Sequence, residues 1–489
     1  MSRYQPHSVM TTGPALSQSF RALWVMMIGF ILIVVDSTVV SVANPVLKQT
    51  FDVEYHSVLW VTTAYLVSFS AFLMIGGRLG DRYGTKHVYV LGLALFTASS
   101  VWCAMSNSVG MLIAARVAQG FGAALLTPQV MSTITRTFPP ERHGAAMSVW
   151  GATTGVGLLA GPILGGILLA GLGWQWIFLI NVPIGVAGVA LAMRFLPALP
   201  VRPLRVDVVG AVLSGAGICL VVLGLQEGQH QGWSTVIWAS LAGGVALIAV
   251  LFAWQARKRA EPLIPLKLMA NRNFVFSSAG IALVSFAFVA LGVPLMIYLQ
   301  EVSGLSPFHA ALLTAPMAVA TGALAPFVGK IVDRAHPRPV VVSGFALLGL
   351  ALVWLVMEMA QGSAVWRLAL PLTLVGIAGA FTWEPLSAIA TRGLPLDVAG
   401  AGSALCNTAR HMGAALSSAS IAAMMAFLLG DEHAEYGGMQ DAAAEHATEG
   451  SFADAMSQSI LLAVLAAGLG ALTGFFLDGR VRADGGLPS

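Results

Sequence analysis

Long apolar segments separated by short polar loops follow one another along nearly the whole chain. A helix needs about 20 residues to cross the hydrocarbon core of a bilayer, and apolar segments of that length recur along the chain. They lie at 22–44, 57–77, 87–105, 109–132, 144–170, 175–194, 207–225, 233–254, 275–299, 308–330, 338–358, 367–390, 399–429 and 457–478. The pattern therefore predicts an all-α polytopic membrane protein with fourteen transmembrane helices.

Composition and charge support this prediction and give it an orientation. Of the 489 residues, 57% are hydrophobic and only 10% are charged, whereas soluble domains carry about 25% charged residues. Lysine and arginine are concentrated in the N-terminal tail and in every second loop after it, which is typical of cytoplasmic segments. We therefore expect both termini in the cytoplasm and the protein in a bacterial plasma membrane.

A repeated loop sequence divides the chain into two halves. Gly-x-x-x-Asp-Arg follows the second predicted helix at 77–82 and the tenth at 329–334, and paired halves around a midplane site are a common transporter design. The predicted organisation is a tail at 1–21, a six-helix bundle at 22–194, linkers with two inserted helices at 195–273, a second six-helix bundle at 274–478 and a tail at 479–489. Residues 430–456 form an acidic external loop in this scheme.

Two pairs of charged residues fall inside apolar spans. Asp36 and Arg116 lie about 11 Å from the same predicted membrane surface at 1.5 Å per residue. Glu384 and Arg410 lie at comparable depths in the second half. A charge in the bilayer centre costs about 2.5–3.5 kcal/mol on insertion scales, so each pair is either a structural ion pair or a working protonation site. Trp383 beside Glu384 suits a lipophilic cation, and Pro385 is predicted to break its helix.

Several stretches resemble the major facilitator superfamily, and in particular its fourteen-helix drug:proton antiporters. They are Gly77-Arg-Leu-Gly-Asp-Arg-Tyr-Gly-Thr-Lys86, Ala115-Arg-Val-Ala-Gln-Gly-Phe-Gly-Ala-Ala124, Gly157-Leu-Leu-Ala-Gly-Pro-Ile-Leu-Gly-Gly166, Trp174-Gln-Trp-Ile-Phe-Leu-Ile-Asn-Val-Pro-Ile-Gly185, and Asp36-Ser-Thr38 with Pro45. The second half matches more loosely.

The resemblance implies two mechanical motifs. A cytoplasmic latch that favours one access state would consist of Gly77, Asp81, Arg82, Gly84 and Lys86, with Asp333 and Arg334 in the second half. An antiporter motif that seals the halves together would consist of Gly157, Gly161, Pro162, Gly165 and Gly166. From the residues alone, Asp81 can accept from a helix N-terminus or an arginine, and the glycines spaced by four share a helix face.

The function expected from these features is multidrug efflux, in which protons are exchanged for amphiphilic, cationic compounds. The proton-coupling candidates are Asp36, Glu384, Arg116 and Arg410, and the substrate-binding candidates are Asp36, Glu384, Trp383 and Phe381. The expected partners are small amphiphilic molecules and the lipid bilayer, with no nucleic acid, and the protein would work as a monomer. Protons are the coupling ion, and neither a cofactor nor a metal site is expected.

The sequence disfavours two other classes of protein and leaves two hypotheses open beside proton-driven drug efflux. No Walker A loop and no nucleophile–base constellation occurs in the sequence, which disfavours ATP coupling and an enzyme. The same proton-driven machinery could instead export or flip an endogenous lipid or metabolite. A non-transporting membrane receptor or scaffold is the second hypothesis, and it would not need two buried carboxylates.

Overall fold

The computed structural model describes residues 16–53, 55–139, 142–199, 201, 207–228, 231–257, 267–334, 336–360, 364–392, 394, 398–429 and 449–477. Within these residues the secondary structure is helical and includes no strand. The predicted all-α class is therefore confirmed.

The first half of the chain contains seven helices. They are α1 (Leu16–Phe51), α2 (Tyr55–Tyr83), α3 (Thr85–Ala104), α4 (Val109–Thr137), α5 (His143–Gly171), the short α6 (Trp176–Leu179) and α7 (Asn181–Phe195). Between α2 and α3 the chain turns at Gly84, whose φ of 91° lies in the left-handed region. Glycine adopts that conformation without steric cost.

A helical hairpin follows, and then the second half. The hairpin is α8 (Val208–Glu227) and α9 (Thr235–Arg257). The second half has α10 (Lys267–Ala270), α11 (Arg272–Ile297) with a π-helical end at Tyr298–Val302, α12 (Pro307–Arg334), α13 (Pro337–Ala360), a 3₁₀ turn at Val365–Leu368, α14 (Ala369–Thr391), α15 (Ala399–Leu429), α16 (Glu449–Ser459) and α17 (Leu461–Phe475).

Twelve helical segments in the described part of the chain are long and apolar enough to cross a membrane. The helices α5 and α15, which match the fifth and thirteenth predicted spans, are not among these twelve. The count of fourteen therefore stays a prediction. Several helices are longer than predicted: α1 has 36 residues and α2 has 29, because a helix satisfies its own backbone hydrogen bonds beyond the apolar core as well as inside it. The bounds of α15, Ala399–Leu429, are those predicted.

Many large apolar side chains are exposed on the outside of the helices. Ile167 is 64% exposed, Trp238 59%, Leu350 70% and Phe427 82%. Soluble proteins seldom expose apolar surface on this scale. The surface therefore suits lipid contact, and the chain is a multi-pass membrane protein.

Helix packing brings the two halves together along two seams. At one seam α5 packs against α12, and at the other α2 packs against α15. The hairpin covers the second seam, where α8 packs against α2 and α15. Val67 and Met74 of α2, Ile218 and Val222 of α8 and Ala404 of α15 share one buried apolar cluster there.

A polar clamp holds the base of this hairpin. Asp207, 4% exposed, caps α8 by accepting from the backbone N–H of Gly210 at 3.0 Å. The same carboxylate accepts from Nε2 of Gln255 at 2.8 Å and from Nε1 of Trp254 at 3.3 Å, both on α9. The clamp thus joins the two inserted helices at one end.

Pro385 lies inside an unbroken helix, so the prediction that it breaks the helix was wrong. Helix α14 runs from Ala369 to Thr391 with the proline in its interior. Proline removes one backbone donor and frees the carbonyl four residues before it, here that of Phe381. A neighbouring helix packs closely at this point, since a Cβ built on Gly344 of α13 would lie 2.6 Å from that carbonyl oxygen. Close packing of this kind keeps a proline-containing membrane helix continuous.

Candidate functional site

Asp36 and Arg116 form a buried ion pair in the first half. Nη1 of Arg116 lies 2.5 Å from Oδ2 of Asp36, and the side chains are 0% exposed. Nε2 of Gln119 donates to the other carboxylate oxygen at 3.0 Å, and Nδ2 of Asn181 donates to it at 3.1 Å. Asp36 therefore accepts hydrogen bonds from three side chains on two other helices, α4 and α7.

The guanidinium of Arg116 is enclosed as well. Its Nε donates to the carbonyl of Val61 at 3.0 Å, and Nη1 also donates to Oε1 of Gln119 at 2.6 Å. The ring of Tyr65 lies 4.2 Å from the guanidinium carbon, within cation–π distance. Arg116 thus connects α4 to α1 and α2, and both charges are removed from lipid contact.

The second charged pair lies in a cavity between the halves. The cavity volume is about 370 Å³, which falls in the range of small-molecule sites. Its walls come from α5, α11, α12, α14 and α15, and include Met147, Trp150, Gly151, Thr154, Phe288, Met296, Thr314, Met317, Thr321, Trp383, Glu384, Ser387 and Arg410. The site therefore includes side chains of both halves.

Within this cavity the guanidinium of Arg410 lies over two indole rings. Its guanidinium carbon lies 4.8 Å from the ring centre of Trp383 and 5.3 Å from that of Trp150. Glu384 is 4% exposed, and its carboxylate reaches α5, where a side chain at Gly151 would overlap Oε1. Within the described part of the chain, Glu384 and Arg410 are not joined by an ion pair within 4.0 Å.

The four predicted substrate residues are therefore separated in space. Glu384 and Trp383 line the cavity, whereas Asp36 and Phe381 are not among the described residues that line it. Asp36 faces α4 and α7 inside the first half, through its contacts with Arg116 and Asn181.

The predicted latch brings Asp81 of α2 to the start of α15. Oδ1 of Asp81 accepts from the backbone N–H of Gly400 at 3.1 Å and lies 2.5 Å from Nη2 of Arg136. Gly77 allows the two helices to touch, since a Cβ there would lie 2.5 Å from the carbonyl oxygen of Gly400. The carboxylate thus meets both a helix N-terminus and an arginine, which are the two favourable partners at such a position.

The other residues of this loop stay within the first half. Nζ of Lys86 donates to the carbonyl of Met193 at 2.6 Å, which ties α3 to the end of α7. Arg82 lies over the ring of its neighbour Tyr83 at 5.0 Å.

The equivalent contact recurs in the second half. A Cβ on Gly329 of α12 would lie 2.5 Å from the carbonyl oxygen of Gly144 at the start of α5. Asp333 and Arg334 end α12, and their side chains lie outside what the structure describes. The two glycine contacts join each half to the other at the same end of the molecule, at both seams.

Two glycines of the predicted antiporter motif, Gly157 and Gly161, lie on the side of α5 that faces α1, away from the second half. Side chains at Gly157 and Gly161 would meet Val34 and Thr38 of α1, in the same half. Gly166 has no neighbour within 4 Å, Gly165 is buried, and α5 continues through position 162. The side chain of Pro162 lies outside the described set. Contact with the second half is made instead nearer the start of α5, where Gly151 and Gly155 face α14 and α12.

Sequence reasoning did not identify several of these contact residues as part of a site. Gln119 and Asn181 were visible as polar residues within apolar spans, which is a known sign of functional positions in membranes. Arg136 was interpreted only as one of the basic residues of a cytoplasmic loop, although it forms an ion pair with Asp81. Trp150 gave no signal of its own, because its contact with Arg410 depends on how α5 and α15 are oriented.

Comparison with known proteins identifies the family. The family model of the Major Facilitator Superfamily matches residues 26–418. An uncharacterized MFS-type transporter of Mycobacterium tuberculosis (strain ATCC 25618 / H37Rv) is 48% identical over 468 residues, 93% of this chain and 80% of that protein. The putative multidrug resistance protein MdtD of Klebsiella pneumoniae (strain 342) is 31% identical over 430 residues, 87% of this chain and 89% of that protein.

A solved structure agrees on the fold. The crystal structure of the human organic anion transporter MFSD10 superposes with a TM-score of 0.63 at 16% identity, covering 94% of this chain and 99% of that one. This similarity concerns the fold alone. The family model and the sequence relatives confirm the predicted family: the chain belongs to the Major Facilitator Superfamily, in its multidrug efflux branch.

Proposed function

We propose that this protein is a secondary active exporter of the bacterial plasma membrane that exchanges protons for amphiphilic, cationic compounds. The observation that carries the proposal is Glu384, a buried carboxylate in a cavity between the halves. Its Oε2 has no hydrogen-bond partner among the described residues. A buried carboxylate without a partner is costly, so it favours a state in which it holds a proton or meets a cation. Competition between these two is the basis of exchange.

The membrane topology belongs to the same proposal. At 1.5 Å per residue, α5 and α15 are about 44 and 47 Å long, which exceeds the roughly 30 Å hydrocarbon core. With the other twelve spans they give fourteen, an even number that leaves both termini on one side. Because the tails and every second loop are basic, that side is the cytoplasm.

In the proposed mechanism of alternating access, contacts between the halves form and break in turn. In this topology the contacts of Gly77 with Gly400 and of Gly329 with Gly144 lie at the cytoplasmic end. They hold that end closed below the cavity. Opening it requires Asp81 to release the start of α15, so the latch would regulate which side the cavity faces.

The test uses inverted membrane vesicles with an acidic lumen, so that proton efflux drives accumulation of ethidium. We expect uptake by the wild type, collapse of uptake when nigericin abolishes the pH gradient, and at least a tenfold loss in Glu384→Gln. The matched control is Glu301→Gln, because Glu301 is an exposed glutamate outside the cavity. Uptake that survives nigericin would refute proton coupling, and normal uptake by Glu384→Gln would refute the role of this carboxylate.

A further inference from the structure

The cavity presents two unsatisfied polar groups of opposite charge. Oε2 of Glu384 and Nε of Arg410 are both buried, and neither has a hydrogen-bond partner among the described residues. Buried polar groups in native proteins are normally paired. A ligand that donates to Oε2 and accepts from Nε would satisfy both atoms, whereas a simple cation or a simple anion would satisfy only one.

The flat faces around Arg410 restrict the ligand further. The guanidinium lies over the rings of Trp150 and Trp383, at 5.3 and 4.8 Å from their centres. A second cation seeking these faces would have to displace Arg410 from both. A planar ring system can instead stack beside the guanidinium and the indoles, since guanidinium planes and aromatic rings stack well on each other.

The same groups belong to different halves of the molecule. Trp150 lies on α5, whereas Trp383, Glu384 and Arg410 lie on α14 and α15. Gly151, the neighbour of Trp150, lies against the carboxylate of Glu384. A ligand held by these residues therefore contacts both halves at once, as a transported compound must.

We propose that the cavity selects amphoteric aromatic compounds, with a basic group at Glu384, an acidic group at Arg410 and a flat ring system against Trp150 and Trp383. This inference rests on the proposed export function and narrows its substrate class. The cationic group expected from the sequence is retained, and an acidic group is added to it.

The experiment compares three probes that share one ring system. Norfloxacin carries a secondary amine and a carboxylate, its ethyl ester keeps only the basic group, and its N-acetyl derivative keeps only the acid. Binding to the purified full-length protein in detergent is measured by equilibrium dialysis, with quantification by quinolone fluorescence. We expect the wild type to bind norfloxacin at least tenfold more tightly than either derivative.

The variants assign each ligand group to its residue. Arg410→Gln should bind norfloxacin and the ethyl ester equally, and Glu384→Gln should bind norfloxacin and the N-acetyl derivative equally. Arg338→Gln is the control, because Arg338 is an exposed arginine outside the cavity. Equal affinity of the wild type for all three probes would overturn the proposal. So would an Arg410→Gln variant that weakens norfloxacin and its ester by the same factor.

The test does not depend on the folding of a variant, and it separates failure of the substrate class from failure of the export function. If Arg410→Gln does not fold, the comparison of the three probes on the wild type still decides the proposal. If the wild type transports ethidium but shows no preference among the probes, only the substrate class is wrong. If it transports neither ethidium nor norfloxacin in acid-loaded vesicles, the export function itself fails.

Discussion

Removal of the guanidinium from the buried Asp36 network should destabilise the protein strongly. In Arg116→Gln the carboxylate keeps Gln119 and Asn181 but loses its charged partner, which lies at 2.5 Å. Breaking a buried pair from one side costs about 3–5 kcal/mol, because the remaining charge is left uncompensated. Since native proteins are stable by only about 5–15 kcal/mol, this change should be readily measurable.

The double variant Asp36→Asn/Arg116→Gln should recover most of that loss. It removes both charges together, and neutral amides at both positions still fit beside Gln119 and Asn181. The main cost of breaking a buried ion pair from one side is the uncompensated charge that remains, and the double variant leaves no such charge. The coupling free energy between the two positions in a double-mutant cycle should therefore be at least about 3 kcal/mol, at the top of the range for residues in contact.

The assay measures stability and transport on the four proteins of the cycle: the wild type, Asp36→Asn, Arg116→Gln and the double variant. Unfolding is followed in mixed micelles as SDS is increased, and ethidium uptake is followed in vesicles with an acidic lumen. If Asp36 exchanges protons, the double variant regains stability but not uptake. Recovery of both would show that the pair is only structural. Unfolding of Arg116→Gln at the wild-type SDS concentration would refute the energetic reasoning.

Two further predictions concern the contacts between the halves. Asp81→Asn removes the carboxylate that bonds the start of α15 and Arg136, so amide hydrogen exchange in the first turn of α15, measured by mass spectrometry, should accelerate at least tenfold. The control is Asp454→Asn, because Asp454 is exposed. Unchanged exchange in Asp81→Asn would show that this contact does not hold α15. Gly329→Val places a side chain against the backbone of α5, so ethidium uptake should fall at least tenfold, while size-exclusion chromatography should show no loss of folded protein. The control Gly468→Val, whose side chain would lie in open space, should transport normally. Normal transport by Gly329→Val would refute the close approach of α12 to α5.

The rise per residue of a helix was enough to predict which charged residues lie at the same depth in the membrane. It was not enough to predict which of their side chains are in contact. Counting 1.5 Å per residue placed Asp36 and Arg116 at one level, and the structure brings them to 2.5 Å. The same reasoning placed Glu384 and Arg410 at comparable depths, yet among the described residues they form no ion pair within 4.0 Å, and Arg410 lies over Trp150 and Trp383. Depth is a property of one helix, whereas contact also depends on the rotation of each helix about its axis, which packing decides.

The inserted hairpin shows a second limit. Its two helices could be predicted from their length and apolarity, and Asp207 precedes α8 as a capping residue should. Nothing in the spacing indicated that α8 would cover the seam between α2 and α15. That position depends on the fit of apolar surfaces such as those of Val67 and Ile218, and residue hydrophobicity alone does not encode such a fit.

The two buried carboxylates are suited to different parts of the proposed cycle. Asp36 accepts from three donors, Arg116, Gln119 and Asn181, so a proton there would face donors, and at least one of them must withdraw first. A donor withdraws when its side chain rotates away or when α1 shifts against α4 or α7. Among the described residues, Oε2 of Glu384 has no hydrogen-bond partner, and Glu384 lines a cavity, so a proton or a substrate can bind it without breaking a described side-chain hydrogen bond. Under the proposed mechanism, exchange therefore begins at Glu384, and Asp36 takes up a proton only after one of its donors has withdrawn.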